Sequence, residues 1–265
     1  MFHKNEAGSL RISNSIFFVL MIAANIIFEM WPLNHVTTAE ISARHDTVLT
    51  PAGFTFAIWG VIYLWLFLFV LFQLGAFHKK TEGNNPDLVF SLNALFIISS
   101  VANIVWLVAW HFDYIEYSFV LLFIMWVALL IAYIRLSREN MNNKEIFFVR
   151  MPFSIYLAWV SIAMVINFAA FLKAFTTDLL GISSEVWMIT AIILLTLYTE
   201  YFLVSKKDYL FALTALWAFS GILIRNISSV QDTIIPANAF LVLIIAMGVL
   251  LLSLFVTGWM HRYKS

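Results

Sequence analysis

The sequence predicts an all-α polytopic membrane protein of about eight transmembrane helices, and three observations carry that expectation. Of 265 residues, 63% are hydrophobic and 11% charged, against roughly 45–50% and roughly 25% in soluble domains. Eight apolar runs fall at residues 16–31, 54–74, 88–110, 117–134, 147–171, 186–203, 209–224 and 237–259, most of them near the ~20 residues that a helix needs to cross hydrocarbon. The cationic residues then alternate between the connecting segments. With the amino terminus inside, Lys4, Arg11, Lys79, Lys80, Arg135, Arg138, Lys144, Arg150, Lys206, Lys207, Arg262 and Lys264 are cytoplasmic, and only Arg44, Lys173 and Arg225 are outside. Cytoplasmic loops carry the Lys/Arg excess, so both termini are expected in the cytoplasm, with a bacterial plasma membrane as the expected location.

Each element follows from local composition. The first run sits behind a short basic terminus, as a signal peptide would, but Glu29-Met30-Trp31-Pro32 lacks the small residues of a cleavage site. It is therefore read as a span. The outer segment 33–53 is long enough to fold back as a lid rather than simply join two helices. Segments 79–86 and 137–144 are rich in Asn, Gly, Ser and charged residues, a loop composition. Gly60, Pro152, Gly221 and Gly248 fall within spans without the symmetric pairing that marks many transporter sites. Two parts are expected: residues 1–175 with five helices, and residues 176–265 with three more.

Composition also removes several functions. Fifteen basic and fifteen acidic residues give no net charge, so the basic surplus of a nucleic-acid binder is missing. The absence of cysteine excludes disulfides, thiolate metal sites and a cysteine nucleophile. A retinal Schiff base needs a lysine in a late helix, and the last two spans have none.

Polar and aromatic residues inside spans are the candidates for function, because polar groups in hydrocarbon usually face other helices or a cavity. Asn103, Trp106 and Trp110 share one face of the third span by helical spacing. Tyr156, Trp159 and Asn167 share one face of the fifth, and Trp59 and Tyr63 are one turn apart on the second. Interhelical amide contacts and interfacial aromatic belts account for such residues singly. As a set, with three tryptophans well inside their spans, they suit an aromatic cleft for a large planar ligand.

Pro51-Ala52-Gly53-Phe54-Thr55-Phe56-Ala57-Ile58-Trp59-Gly60-Val61-Ile62-Tyr63 resembles the second-helix signature of the translocator protein family, the tryptophan-rich sensory proteins. Asn103-Ile104-Val105-Trp106 is similar to its third-helix Asn-x-x-Trp, and Tyr156-Leu157-Ala158-Trp159-Val160 with Asn167 to its fifth-helix pattern. The resemblance spans residues 15–172 and implies a five-helix bundle extended by three carboxy-terminal helices. It implies a pocket near one membrane face, covered by the loop between the first two helices, that takes porphyrins, sterols or other aromatic ligands. On the matching positions, Trp59, Tyr63, Asn103, Trp106, Tyr156, Trp159 and Asn167 would line it. The sequence departs from the pattern at Gly53, often Trp in the family, and in having Pro51 alone where many members have two prolines.

Glu29, His111, Asp113 and Arg225, with Lys173, form a second set at the expected outer face, where they would receive propionates or phosphate at the pocket mouth, or pair with one another. Glu29 or Asp113 is the expected partner of Arg225. His35, His45 and His111 lack a metal-ligand spacing, so no metal site is expected. Leu130 to Arg135 meets a loose cholesterol pattern, and Glu200 reads as an interface carboxylate. The expected function is a membrane receptor or sensor for a hydrophobic planar ligand, a tetrapyrrole before a sterol or lipid. No resident cofactor is expected, the partners are lipids and the small ligand, and a homodimer is an open alternative. Transport of a small amphipathic solute is the second reading. Hydrolysis of a lipid with Glu29 and Asp113 as acid and base is the third, and an enzyme is not the main expectation.

Overall fold

The computed structural model describes residues 2–76, 86–175, 181–228 and 236–264. It contains ten helices among the described residues: α1 (Phe2–Met30), α2 (Thr38–Arg44), α3 (Ile58–Gln73), α4 (Pro86–His111), α5 (Ile115–Leu136), α6 (Asn143–Glu145), α7 (Met151–Phe175), α8 (Ser184–Glu200), α9 (Tyr209–Ser228) and α10 (Ala237–Lys264). No strand occurs among the described residues. Eight helices are long and apolar enough to cross a bilayer, which makes the chain a multi-pass integral membrane protein. Their outer faces carry large apolar side chains, as on α10 where Leu241, Ile245, Leu252 and Phe255 are exposed. In water such a face would be a liability, but against acyl chains it is the ordinary surface of a span.

The chain divides into two compact units. The first comprises Met1–Ile41 and Ala57–Val160. In it α4 packs against α1 and α5, and α1 against α3. On α4 the hydroxyls of buried Ser99 and Ser100 both donate to the Phe96 carbonyl at 2.8 Å. Those hydroxyls are thereby satisfied without facing lipid. The entrance to α7 is built by a capping box: Asn142 Oδ1 accepts from the amides of Lys144 and Glu145, while Glu145 accepts from the Asn142 amide. A π-turn at Ile146–Arg150 follows directly. It lies immediately before Pro152, whose ring nitrogen cannot donate to the ladder, and a widened turn is one way a membrane helix accommodates that loss.

The second unit comprises Ser42–Phe56 and Ser161–Ser265, in which α8, α9 and α10 pack on one another. Segment 42–56 runs along α9. The Ala52 amide donates to the Gly221 carbonyl at 3.0 Å, Trp217 Nε1 donates to the Thr55 carbonyl at 2.9 Å, and Phe54 meets the Trp217 ring edge-on at 5.5 Å. Gly221 does not break α9. It is glycine because a Cβ there would fall on the Thr55 side chain, 2.9 Å from its Cβ and 2.7 Å from Cγ2.

Candidate functional site

Three helices of the first unit bring their aromatic stripes together, with Trp59 at the centre. Its ring centroid lies 5.4 Å from Tyr63 on its own helix, 6.2 Å from Trp106 on α4, and 5.9 Å and 6.2 Å from Tyr156 and Trp159 on α7. Trp110 continues the stack, 6.0 Å from Trp106 and within 20° of parallel. The contacts with Tyr156 and Trp159 are edge-on, at 73° and 84°, the geometry that a ring quadrupole favours. Trp59 and Tyr63 are half-buried, whereas Trp106, Tyr156 and Trp159 are buried. The rings touch one another, so Trp59 itself occupies the middle of the cluster.

Beside the rings runs a chain of polar groups. Tyr63 Oη donates to Asn25 Oδ1 at 2.5 Å, and Asn25 Nδ2 donates to Asn103 Oδ1 at 2.8 Å and to the Met21 carbonyl at 2.9 Å. Tyr156 Oη points instead to Met125 Sδ on α5, 3.2 Å away. Trp106 Nε1 is buried and has no acceptor among the described residues, while the Asn103 amide faces the Tyr63 and Tyr156 phenol oxygens. Asn103 and Trp106 lie on α4 one turn apart. An unsatisfied buried donor costs about 1–3 kcal/mol, so Trp106 Nε1 marks a place where an acceptor oxygen would be stabilised, with the Asn103 amide on the same face.

Of the ligand-site residues read from the sequence, Trp59, Tyr63, Asn103, Trp106, Tyr156 and Trp159 are thus within one cluster. Asn167 is buried eight residues beyond Trp159 on α7, among the residues of the second unit. Asn25 and Met125 were not singled out. Asn25 carried a legible signal, an amide inside an apolar span, but Met125 carried none.

The charged residues are arranged differently from expectation. Arg225 pairs with Asp46 rather than with Glu29 or Asp113, at 2.9 Å, and Lys173 Nζ donates to the Asp46 backbone carbonyl at 2.5 Å. Asp46 therefore ties its segment to two helices of the second unit. Glu29 is exposed at the end of α1, and Asp113 is exposed in a left-handed turn with φ of 63° after α4. His111 is 2% exposed. Its Nδ1 lies 2.7 Å from the Leu107 carbonyl, its ring packs 5.6 Å from Phe28, and its own carbonyl accepts from Asn34 Nδ2. Among the described residues no group of His, Asp and Glu could hold a metal ion. Tyr133, the aromatic of the cholesterol-like pattern, is buried and accepts from Arg150 Nη2 at 3.3 Å, so it is not presented to lipid. Glu200 Oε1 is also buried and accepts no hydrogen bond among the described residues.

Compared with known proteins, residues 11–256 match the family model described as TSPO-like protein. The matched stretch takes in the last three spans as well as the first five. No curated protein and no solved structure matches the chain.

Proposed function

Because the chain belongs to the TSPO-like protein family, we propose that it is a membrane sensor whose aromatic cluster binds a flat hydrophobic ligand, with a tetrapyrrole as the favoured class. The reading rests on one observation above all: six aromatic rings from three helices converge where the buried Trp106 Nε1 has no acceptor among the described residues, one turn from the Asn103 amide. Rings supply apolar, polarisable faces for a planar molecule, and N–H groups orient its polar edge by donating to its oxygen. Asn25 holds the Asn103 amide by its oxygen, which turns the amide nitrogen toward the Tyr63 and Tyr156 phenols at the edge of the cluster. Asn167, Glu29, His111, Asp113 and Arg225 are secondary to this reading, and none of them is needed for it.

The test separates the donor from the ring. Trp106→Phe keeps an aromatic at that position and removes Nε1. Titration with protoporphyrin, read by its own absorbance shift, is expected to be saturable in the parent protein. The variant is expected to bind about tenfold more weakly, the cost of roughly one hydrogen bond. Trp259→Phe, at an exposed position on α10, is expected to leave the titration unchanged. Equal affinity in parent and Trp106→Phe would remove the assignment of this donor to the ligand.

A further inference from the structure

A second polar cluster lies at the opposite end of the same helices. The apolar part of α1 begins at Leu10, that of α3 ends at Gln73, and that of α4 begins at Leu92, so Asn14, Gln73 and Asn93 stand at one boundary of three spans. Asn14 Nδ2 donates to Asn93 Oδ1 at 2.7 Å and to Gln73 Oε1 at 3.1 Å, and Gln73 Nε2 donates to Asn93 Oδ1 at 2.7 Å. Asn14 and Asn93 are completely buried. The triangle is incomplete, however: Asn14 Oδ1 and Asn93 Nδ2 have no partner among the described residues. Arg11, three residues before Asn14 and hence on the same face of α1, has a buried Nε that is likewise unpartnered, and it makes no ion pair among the described residues.

Water can complete an amide triangle, but it does not neutralise a guanidinium that is partly desolvated at a membrane boundary. An anion matches that charge, and none of the carboxylates whose side chains are described lies within ion-pair distance of it. By the Lys/Arg asymmetry this is the cytoplasmic boundary, where phosphate groups of lipid headgroups lie at the depth of Arg11. We propose that Arg11, Asn14 and Asn93 form a binding site for a phosphate-bearing, hydroxylated group. Its phosphate oxygens accept from Arg11 and from Asn93 Nδ2, and its hydroxyl donates to Asn14 Oδ1. Phosphatidylglycerol carries both functions on one headgroup. The site is independent of what the aromatic cluster binds.

The test is a titration of the full-length protein in uncharged detergent with short-chain phosphatidylglycerol, short-chain phosphatidylcholine and inorganic phosphate, read by thermal unfolding. Phosphatidylglycerol is expected to half-saturate the shift at a concentration about tenfold below that of phosphatidylcholine, which keeps the phosphate but offsets its charge with an ammonium and lacks the hydroxyl that donates to Asn14 Oδ1. Arg11→Gln is expected to abolish that preference. Asn93→Asp keeps the oxygen that Asn14 and Gln73 donate to, preserving the triangle, but replaces the free donor by an acceptor, and is expected to abolish it too. Arg138→Gln, which removes an exposed cation of the loop after α5, is expected to retain it. If inorganic phosphate reproduces or competes away the shift, the same site takes the free anion; if it does neither, the headgroup is the ligand. Equal response to both lipids, or a preference that survives in Arg11→Gln, would overturn the proposal.

Discussion

Replacing Gly221 by alanine sets two effects of opposite sign against each other on α9. In a helix interior, alanine is better than glycine by about 0.8–1 kcal/mol, so on helix propensity alone the variant should be more stable. The new Cβ would lie 2.7 Å and 2.9 Å from the Thr55 Cγ2 and Cβ, distances that real atoms do not tolerate. Thr55 is completely buried and sits in a segment held by the Ala52–Gly221 and Trp217–Thr55 backbone bonds. It cannot retreat without stretching both. Overpacking costs about 1–3 kcal/mol, and each weakened bond adds about 0.5–1.5 kcal/mol. The steric effect therefore exceeds the propensity gain, leaving a net loss of about 1–5 kcal/mol. Chemical unfolding of the purified protein in mixed micelles measures this. Two controls fix the sign: Gly60→Ala and Gly248→Ala add a Cβ that meets nothing within 4 Å, and both are expected to be neutral or slightly stabilising. Thr55→Gly, which removes Cβ and Cγ2 together with Oγ1, the third atom the new Cβ would meet, should rescue Gly221→Ala in a double variant. A Gly221→Ala protein as stable as the parent would refute the claim that close approach selects this glycine.

Asp46→Asn removes the charge pair with Arg225 but keeps the carbonyl that Lys173 reaches; at 27% and 29% exposure of the two side chains the pair is worth about 0–1 kcal/mol. A small fall in the unfolding midpoint, shrinking at high salt, is expected, and a loss above 2 kcal/mol would show that the pair does more than fasten a segment. Asn25→Leu cuts the Tyr63–Asn25–Asn103 chain. It should cost about 1–3 kcal/mol, the penalty for stranded buried partners rather than the ~0.6 kcal/mol average of an intramembrane bond, and the cost should be non-additive with Asn103→Leu; simple additivity would mean that the three groups do not act together. The cysteine-free chain permits single-cysteine topology mapping: an impermeant maleimide should label Asp113→Cys from outside and Ser137→Cys only from the cytoplasmic side, and the opposite pattern would reverse the orientation read from the Lys and Arg residues.

The eight spans were legible because lipid imposes one requirement, length and apolarity, that a short window of sequence satisfies or fails by itself. The short helices α2 and α6 were written in the sequence as Thr37-x-x-Glu40 and Asn142-x-x-Glu145, and the structure forms the expected reciprocal bonds at both. A four-residue signal inside a segment of loop composition does not by itself distinguish a short helix from a turn. The π-turns at Ile146–Arg150 and Tyr201–Ser205 have no composition of their own. Gly221 shows the limit more sharply, since its spacing resembles a helix interruption, whereas its cause is Thr55, 166 residues earlier in the chain. Arg225 similarly finds Asp46 because of how segment 42–56 lies along α9, a tertiary fact that no local pattern encodes.

Helical periodicity put Trp59, Trp106 and Trp159 on definite faces, but a face says nothing about the distance to the next helix. At the spacing observed, the indoles meet each other rather than bounding an open space. Trp59 alone makes four ring contacts, worth about 0.5–1.5 kcal/mol each beyond simple burial. A planar ligand that entered between those rings would have to replace contacts of about 2–6 kcal/mol before gaining affinity. One that lay on the half-buried face of Trp59 would keep them. The second arrangement is the less costly, and it leaves the cluster intact as a platform while Asn103 and Trp106 supply the polar fix from α4.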